Sequence, residues 1–564
     1  MLHDLMTLRG ENLTDTPWNC YPRPQMKRDN WLNLNGSWQF AAGKPDFDGK
    51  TILVPFCPES KLSGVKQHYP EGTTLWYRRN FVLPEGFNRG RVLLHIGAAD
   101  QIAEVSLNGN HLYRHEGGYE AFTLDITEYL QPENELTVCC WDDLNNQVFP
   151  YGKQVLPEKR GGMWYTPVSG IWQSLWLESV PETYIRKLHI ENRGASVTIT
   201  TEPALNGFVK VSALGDFALE NGSVTITPEE PHFWSPEDPY LYDFTVAAGE
   251  DRIESYFAIR SLEVKQVSGY PRLCLNGKPY FFHGLLDQGY WPEGLLTPPA
   301  PESYVDDILA MKALGFNTLR KHIKVEMEEF YYQCDKLGMI VWQDMVNNSD
   351  YNFLRDTALP TVGIQTLDDR NLHKDKASRE MFRKCAEALV NQLKNHPSIC
   401  LWTIFNEAWG QFDSDNVYTW FKQLDDTRFI DTTSGWFRRE KSDVDSRHVY
   451  FRKVKLKGDG RKPLILSEFG GKTYKAEGHL FNPDKSYGYG GCETLEQLNK
   501  AVKKLYLEEI VPSIRNGLCA SIYTQVSDVE DEINGLLTYD RKLCKLTRET
   551  MVPVAEALKA ALEK

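Results

Sequence analysis

Short runs of strand-forming residues, separated by turn clusters, fill the first 180 residues: Gly36 to Phe40, Leu75 to Val82, Arg91 to Ile96, Glu104 to Leu107 followed by Asn108-Gly109, Glu135 to Trp141, and Ile171 to Leu177. Strands at this spacing, with an Asn-Gly turn, predict an all-β sandwich. From Val180 to about Val264 the runs are shorter, as in Ser196 to Thr201, Gly207 to Ala213 and Leu241 to Ala248, and predict a second sandwich of immunoglobulin-like size. No segment of helical period precedes residue 300.

After Tyr280 apolar runs alternate with amphipathic helical stretches. Strands are expected at Phe281 to Gly284, Asn317 to Arg320, Met339 to Trp342, Ile399 to Phe405, Phe429 to Thr433, Val449 to Phe451, Pro463 to Ser467 and Ala520 to Thr524. Helices are expected at Tyr304 to Leu314, Met327 to Leu337, Arg379 to Lys394 and Leu495 to Ile514. Eight strands with helical or irregular connections match a (β/α)8 TIM barrel. The expected order is therefore a sandwich over 1–180, a second over 181–264 and a barrel over 265–564. The polar stretch from Asn347 to Asp369 has no periodicity that places it.

Composition narrows the class. With 63 Lys and Arg against 77 Asp and Glu the net charge is −14, and no basic run exceeds two residues, which argues against a nucleic-acid partner. No apolar stretch has the eighteen residues of a membrane span, so no membrane partner is expected. Met1 to Pro17 lacks an export signal, which makes the cytoplasm the expected location. The 11 cysteines include no C-x-x-C and read as buried thiols. No cluster has metal-ligand spacing and no phosphate or dinucleotide fingerprint occurs, so neither metal nor cofactor is expected.

In a (β/α)8 barrel, chemistry sits at the C-terminal ends of the strands. Glu407 closes the run Ile399 to Asn406, and Glu468 closes Pro463 to Ser467. A carboxylate after a buried run loses solvation unless paired, and two of them, on the fourth and seventh strands, face each other across a barrel mouth. Glycosidic bond cleavage requires such a pair, one to protonate the leaving oxygen and one to attack or to activate water.

The motifs Thr403-Ile404-Phe405-Asn406-Glu407 and Ser467-Glu468-Phe469-Gly470-Gly471 resemble the acid/base and nucleophile motifs of glycoside hydrolase family 2. Trp76-Tyr77-Arg78-Arg79, Gly118-Tyr119 and Pro167-Val168-Ser169-Gly170-Ile171-Trp172 resemble that family's jelly-roll sugar-binding sandwich, and the domain order agrees. The resemblance implies a retaining reaction with Glu407 as acid/base and Glu468 as nucleophile. It also implies that Arg320 is the barrel arginine, that Asn406 holds the sugar 2-hydroxyl and that Tyr450 bonds the nucleophile. Trp436, Trp409 and Tyr523 are candidate sugar platforms. His322 and Lys324 are placed to reach the substrate, and Asp142 and Asp143, at a strand end of the first sandwich, could reach the cleft.

Departures from the family pattern bear on the sugar. The last barrel segment, Ser527 to Gly535, lacks the Asn-x-Lys pair with which the family's β-glucuronidases hold a sugar carboxylate, and the loop Met345 to Asp350 lacks the magnesium ligands of the large β-galactosidases. The expectation is an exo-acting retaining β-glycosidase for a terminal neutral sugar, a β-galactoside first. Its alternatives are β-glucuronidase, β-mannosidase or arabinosidase activity, a non-hydrolytic carbohydrate binder, and an inverting hydrolase. A homo-oligomer is compatible with the sequence.

Overall fold

A computed structural model of the chain describes residues 2–364 and 368–563; within the aperiodic stretch, 365–367 lie outside them. The first sandwich pairs a six-stranded antiparallel sheet, centred on Gly36–Ala42, Thr74–Phe81 and Asn134–Trp141, with a four-stranded one that includes Arg91–Ile96 and Leu175–Val180. Alternation decides which face is buried: Trp38, Phe40, Leu75 and Tyr77 point inward to meet Val92, Leu94, Ile96 and Leu177, while Ser37 and Gln39 point out. Burying side chains of this size stabilises by about 1.5–3 kcal/mol each. The second sandwich sets a three-stranded sheet (Lys187–Arg193, Ser196–Glu202, Ser223–Ile226) against a four-stranded one that includes Gly207–Val211 and Tyr242–Ala248.

Arg28, on the segment before the first strand, locks the two sandwiches together. Its guanidinium donates to both oxygens of Asp251 at 2.9 and 2.8 Å in the second sandwich and to Glu178 Oε2 at 3.1 Å in the first. Glu178, fully buried, also meets Arg23 at 2.9 Å.

The barrel strands run Phe282–Asp287, Thr318–Lys321, Ile340–Asp344, Ile399–Asn406, Phe429–Ser434, Asp445–Val449, Leu464–Gly470 and Leu518–Thr524. All are parallel, and each neighbouring pair is laddered except the fifth and sixth, so the barrel is closed but for one seam. That seam is bridged by Asp443 and Ser442, which bond the fifth strand, and by Ser434, Ser446 and Ser467. Helices Glu302–Ala313, Glu328–Leu337 and Lys376–Leu393 lie where their periodicity places them, while Ser414–Leu424 and Arg548–Leu562 are additional. Among the described residues no helix is long and apolar enough to cross a membrane.

Two departures from expectation bear on the site. The sixth was expected at Val449 to Phe451 but occupies Asp445–Val449, because its ladder with the seventh ends at Val449 and Tyr450 turns out of it. The seventh extends to Gly470, so Glu468 sits inside the ladder, opposite His448, rather than after it.

At the N-terminal end, strand-start residues Phe282, Ile340, Phe429 and Ala520 pack with Trp234, Leu273 and Leu275 and plug the barrel. The open end lies under a loop of the first sandwich, residues 151–165. Gly152 there has φ +66, and a Cβ would come within 2.9 Å of the Ile323 carbonyl, so only glycine lets the loop press this closely on the barrel.

Removing the Arg28 side chain leaves two buried carboxylates without their shared cation. Arg28→Ala is expected to destabilise the protein by about 3–5 kcal/mol, read as a fall in the midpoint of denaturant unfolding; a loss below about 1 kcal/mol, the value of a surface pair, would contradict this joint.

Candidate active site

The fourth strand is buried along its length and ends on Asn406; the chain then turns sharply, with Glu407 at φ 50 and Ala408 at φ 68. Left-handed conformation in two successive non-glycine residues costs on the order of 1–3 kcal/mol each. The turn is held by Glu407 N donating to Ser434 O at 2.9 Å and by Trp409 N donating to Asn406 O at 2.8 Å. It carries the Glu407 carboxyl off the strand line and onto His448, whose Nδ1 lies 2.6 Å from Glu407 Oε1.

Arg320 fills the centre. Nε and Nη2 donate to the two oxygens of Asp344 at 3.0 Å each, Nη2 also to Asn406 Oδ1 at 2.9 Å, and Nη1 to Glu468 Oε1 and Ser467 O at 3.1 Å. The other oxygen of Glu468 accepts from Tyr450 Oη at 2.6 Å, and Tyr450 stacks on Tyr489 with ring centroids 3.9 Å apart.

The two carboxyls are driven apart in acidity. Burial alone would raise Glu468, but His448, Arg320 and the Tyr450 hydroxyl outweigh it and hold this carboxyl below its ordinary 4.5. Burial, and then the charge of Glu468, push Glu407 above 4.5. Oxygens of both and a ring nitrogen of His448 all lie within 4.8 Å of one another. One carboxyl displaced toward the acid form beside one displaced toward the anion, at a separation nearer the about 5–5.5 Å of retaining pairs than the about 6.5–9.5 Å of inverting ones, suits double displacement at a glycosidic carbon. The positive charge such a pair requires is supplied by Arg320 and, from the loop of the first sandwich, Lys153.

The structure brings Asn406, Arg320, His322 and Tyr450 together with the two glutamates. Among the described residues Asn406 Nδ2 is buried without a hydrogen-bond partner, as is His322 Nε2, which lies 3.6 Å from Glu468 Oε1. Burial, then the nearby charges of Lys153 and Arg320, hold the His322 ring well below its usual value, in the neutral form. Trp436 borders the site: its edge meets His448 and its Nε1 donates to Asp356 O at 3.1 Å.

Other expected positions lie elsewhere. Tyr523 is 1% exposed and packs outward against Phe469 and Tyr506, because side chains alternate along the eighth strand and it is Thr524 that faces in, bonding Tyr450 at 2.8 Å. Trp409 is 2% exposed behind Trp164, stacked on it at 4.9 Å, so it backs the wall and presents no open face. Lys324 is committed to Glu326 and to the carbonyls of Gly289 and Leu296. Asp142 and Asp143 do not bond the barrel pair among the described residues: the Asp142 carboxyl sits with Asp100, Glu71 and Glu59 of the first sandwich, and Asp143 caps Asn145.

Sequence reasoning missed His448, which closes no apolar run, though Ser446, His448 and Tyr450 share the parity that faces the axis. It missed Asp344, which does close the apolar third strand. It also missed Lys153, Trp164, Tyr351, Tyr489 and Glu532, which come from loops. Lys153 is 6% exposed and its ammonium sits 4.8 Å from the Trp409 ring; among the described residues that ammonium makes no hydrogen bond or close ion pair. Burial lowers its pKa, opposed by Glu532, Glu468 and Glu407. Glu532 accepts from Tyr165 Oη at 2.5 Å and Asn534 Nδ2 at 2.9 Å.

Comparison with known proteins places the chain. Residues 267–550 match the TIM barrel domain of glycosyl hydrolases family 2, residues 55–148 the glycosyl hydrolase 2 galactose-binding domain-like family, and residues 184–260 the remaining family 2 domain. The chain is 22% identical to a β-galactosidase from Thermoanaerobacter pseudethanolicus, over 86% of this chain and 65% of that one. It is 23% identical to a β-glucuronidase from Bacteroides fragilis, over 69% of this chain and 58% of that one. It thus spans less than two thirds of either relative. Among solved structures, a β-glucuronidase from an uncultured Clostridium superposes with TM-score 0.72 at 18% identity, covering 95% of this chain and 99% of that one. A β-galacturonidase from Eisenbergiella tayi, bound to galacturonate, gives 0.68 at 19%, covering 96% and 99%. At these identities the structural likeness shows a shared fold, whereas the barrel match spans half of the sequence, and the chain belongs to glycosyl hydrolases family 2.

Proposed function

We propose that the protein is an exo-acting retaining β-glycosidase in which Glu468 is the nucleophile and Glu407 the general acid/base. The observation that carries this reading is the close pair itself, with Arg320 and Tyr450 bonding one carboxyl and His448 bonding the other. In the first step an oxygen of Glu468 attacks the anomeric carbon as the bond to the leaving oxygen breaks, and Glu407 gives that oxygen its proton. The product is a glycosyl ester on Glu468 and an ionised Glu407. Ester formation removes the charge of Glu468, so the pressure holding the Glu407 proton falls and this carboxylate becomes the base. It then takes a proton from water as the water oxygen attacks the anomeric carbon, which releases Glu468 and restores both groups. The unpartnered Asn406 Nδ2 and His322 Nε2 are poised to bond sugar hydroxyls.

For the sugar, we infer a β-hexuronide in place of the expected β-galactoside. Of the four proteins named above, two are β-glucuronidases and one a β-galacturonidase, and Lys153 is a buried lysine whose ammonium, among the described residues, makes no hydrogen bond, the group an acidic sugar requires. A neutral sugar is the second reading, favoured by Glu532, a carboxylate beside Lys153 that would accept a hydroxyl and repel an acid.

A panel of p-nitrophenyl β-glucuronide, β-galacturonide, β-galactoside, β-glucoside and β-mannoside and α-arabinosides tests both levels. Glu468→Gln is expected to abolish turnover and Glu407→Gln to lower it by about 10²–10⁴-fold; activity surviving Glu468→Gln would overturn the assignment. Lys153→Met is expected to lower kcat/KM on the hexuronide by about 10–100-fold, the value of a hydrogen bond to a charged group, with less effect on neutral glycosides; cleavage of neutral glycosides alone would select the second reading.

The pH profile of kcat/KM is expected to be a bell, since turnover needs Glu468 ionised and Glu407 protonated. The acid limb should lie below 4.5 and the alkaline limb above it, following the directions in which the two groups are displaced. Tyr450→Phe removes a donor that favours the ionised form of Glu468 and should move the acid limb to higher pH; an unmoved limb would contradict this role.

A further inference from the structure

His448 touches both carboxyls, and the reading above gives it no part in the proton transfer. Its side chain is 0% exposed and its two nitrogens have different neighbours. Nε2 lies 3.0 Å from Ser434 Oγ. The Ser434 hydroxyl donates to Ser467 Oγ at 3.0 Å, and the Ser467 hydroxyl has its own acceptor in the Arg447 carbonyl at 3.3 Å. With its proton so directed, the Ser434 oxygen accepts, and Nε2 is the nitrogen that carries a hydrogen. Nδ1 then faces Glu407 Oε1 at 2.6 Å with one proton between them, bound to the carboxyl beside a neutral ring or to the ring beside a carboxylate.

We propose that the acid of the first step is the Glu407–His448 pair, with His448 as the positioning residue that keeps the transferable proton in the bond between them. This rests on the reading of Glu407 as acid/base. The chemistry balances: the pair delivers its single proton to the leaving oxygen, which leaves a carboxylate beside a neutral imidazole, and it regains one proton from the water of the second step. The hydroxyl oxygen of Ser434 accepts from Nε2–H throughout, so Nδ1 stays turned toward Glu407. A second basic site can only add to the affinity of the pair for its proton, so the proton is lost at higher pH than from Glu407 alone, and the loss belongs to the pair.

The other groups facing His448 come from every side. Glu468 Oε2, on the seventh strand, is 3.5 Å from Nδ1. Asp431 on the fifth strand, Arg320 and His322 on and after the second, and Lys153 from the first sandwich lie in the same field. The edge of Trp436 closes the remaining side. Of these, Glu468 favours retention of the proton and the cations oppose it, so replacing His448 alone leaves the field of fixed charges in place.

The experiment compares wild type, His448→Gln and Glu407→Gln on 2,4-dinitrophenyl and unsubstituted phenyl glycosides of the sugar the wild type cleaves. Dinitrophenol leaves without a proton and phenol does not, so the ratio of the two kcat/KM values reports acid catalysis and is independent of the fraction of protein folded. His448→Gln is expected to raise the ratio in favour of dinitrophenyl at least tenfold and to move the alkaline limb to lower pH. An unchanged ratio and limb, with the ratio raised in Glu407→Gln, would overturn the proposal alone; an unchanged ratio in Glu407→Gln would overturn the acid/base reading beneath it. Should His448→Gln fail to fold, Ser434→Ala, which releases Nε2–H, is expected to move both readouts in the same directions, and no movement overturns the proposal.

Discussion

A single guanidinium organises the polar centre of this barrel. Arg320 is 0% exposed, and its five N–H donors meet five acceptors: two oxygens of Asp344, Glu468 Oε1, Ser467 O and Asn406 Oδ1. These acceptors come from the third, fourth and seventh strands, so one side chain fixes the positions of the strand ends that carry both glutamates. A buried cation is tolerated only when paired and fully bonded. A lysine here would offer three donors from one point and could not span the set.

The difference between the two glutamates follows from this. Arg320 takes one oxygen of Glu468 and Tyr450 takes the other, so that carboxyl is stable as an anion despite its burial. Glu407, held off the strand by a left-handed turn, receives no cation directly and feels its neighbour's charge instead. Two residues of the same type, within reach of one imidazole, are thereby displaced in opposite directions in acidity, as a double displacement requires at its outset.

How much of this was legible in the sequence depended on whether a residue's place follows from its own strand. The two sandwiches and the barrel were readable because alternation and helical period are local properties, and Glu407, Glu468 and Arg320 were readable because each closes or nearly closes a buried run. Asp344 closes such a run too and could have been found by the same test. Tyr523 was misplaced by one step of strand parity, which sends it outward and Thr524 inward. The sixth strand was placed too late because its ladder with the seventh, rather than its own hydrophobicity, sets its end. Lys153 and Trp164 reach the site from another domain, through a loop pressed on the barrel at Gly152, and no local pattern announces such a contact. The sugar was the least legible part, because the loop that bears on it, Ser527 to Gly535, offers Glu532 and Asn534 where an Asn-x-Lys pair was sought.

The central claim is that the two carboxyls act in sequence through a covalent glycosyl ester, and the configuration of the first-formed sugar tests it most directly. Proton NMR of the reaction, recorded before mutarotation, reads the anomeric signal of the released sugar from a β-glycoside. The β-anomer is expected to appear first. First release of the α-anomer would mean a single displacement by water, and would contradict the assignment of Glu468 as nucleophile.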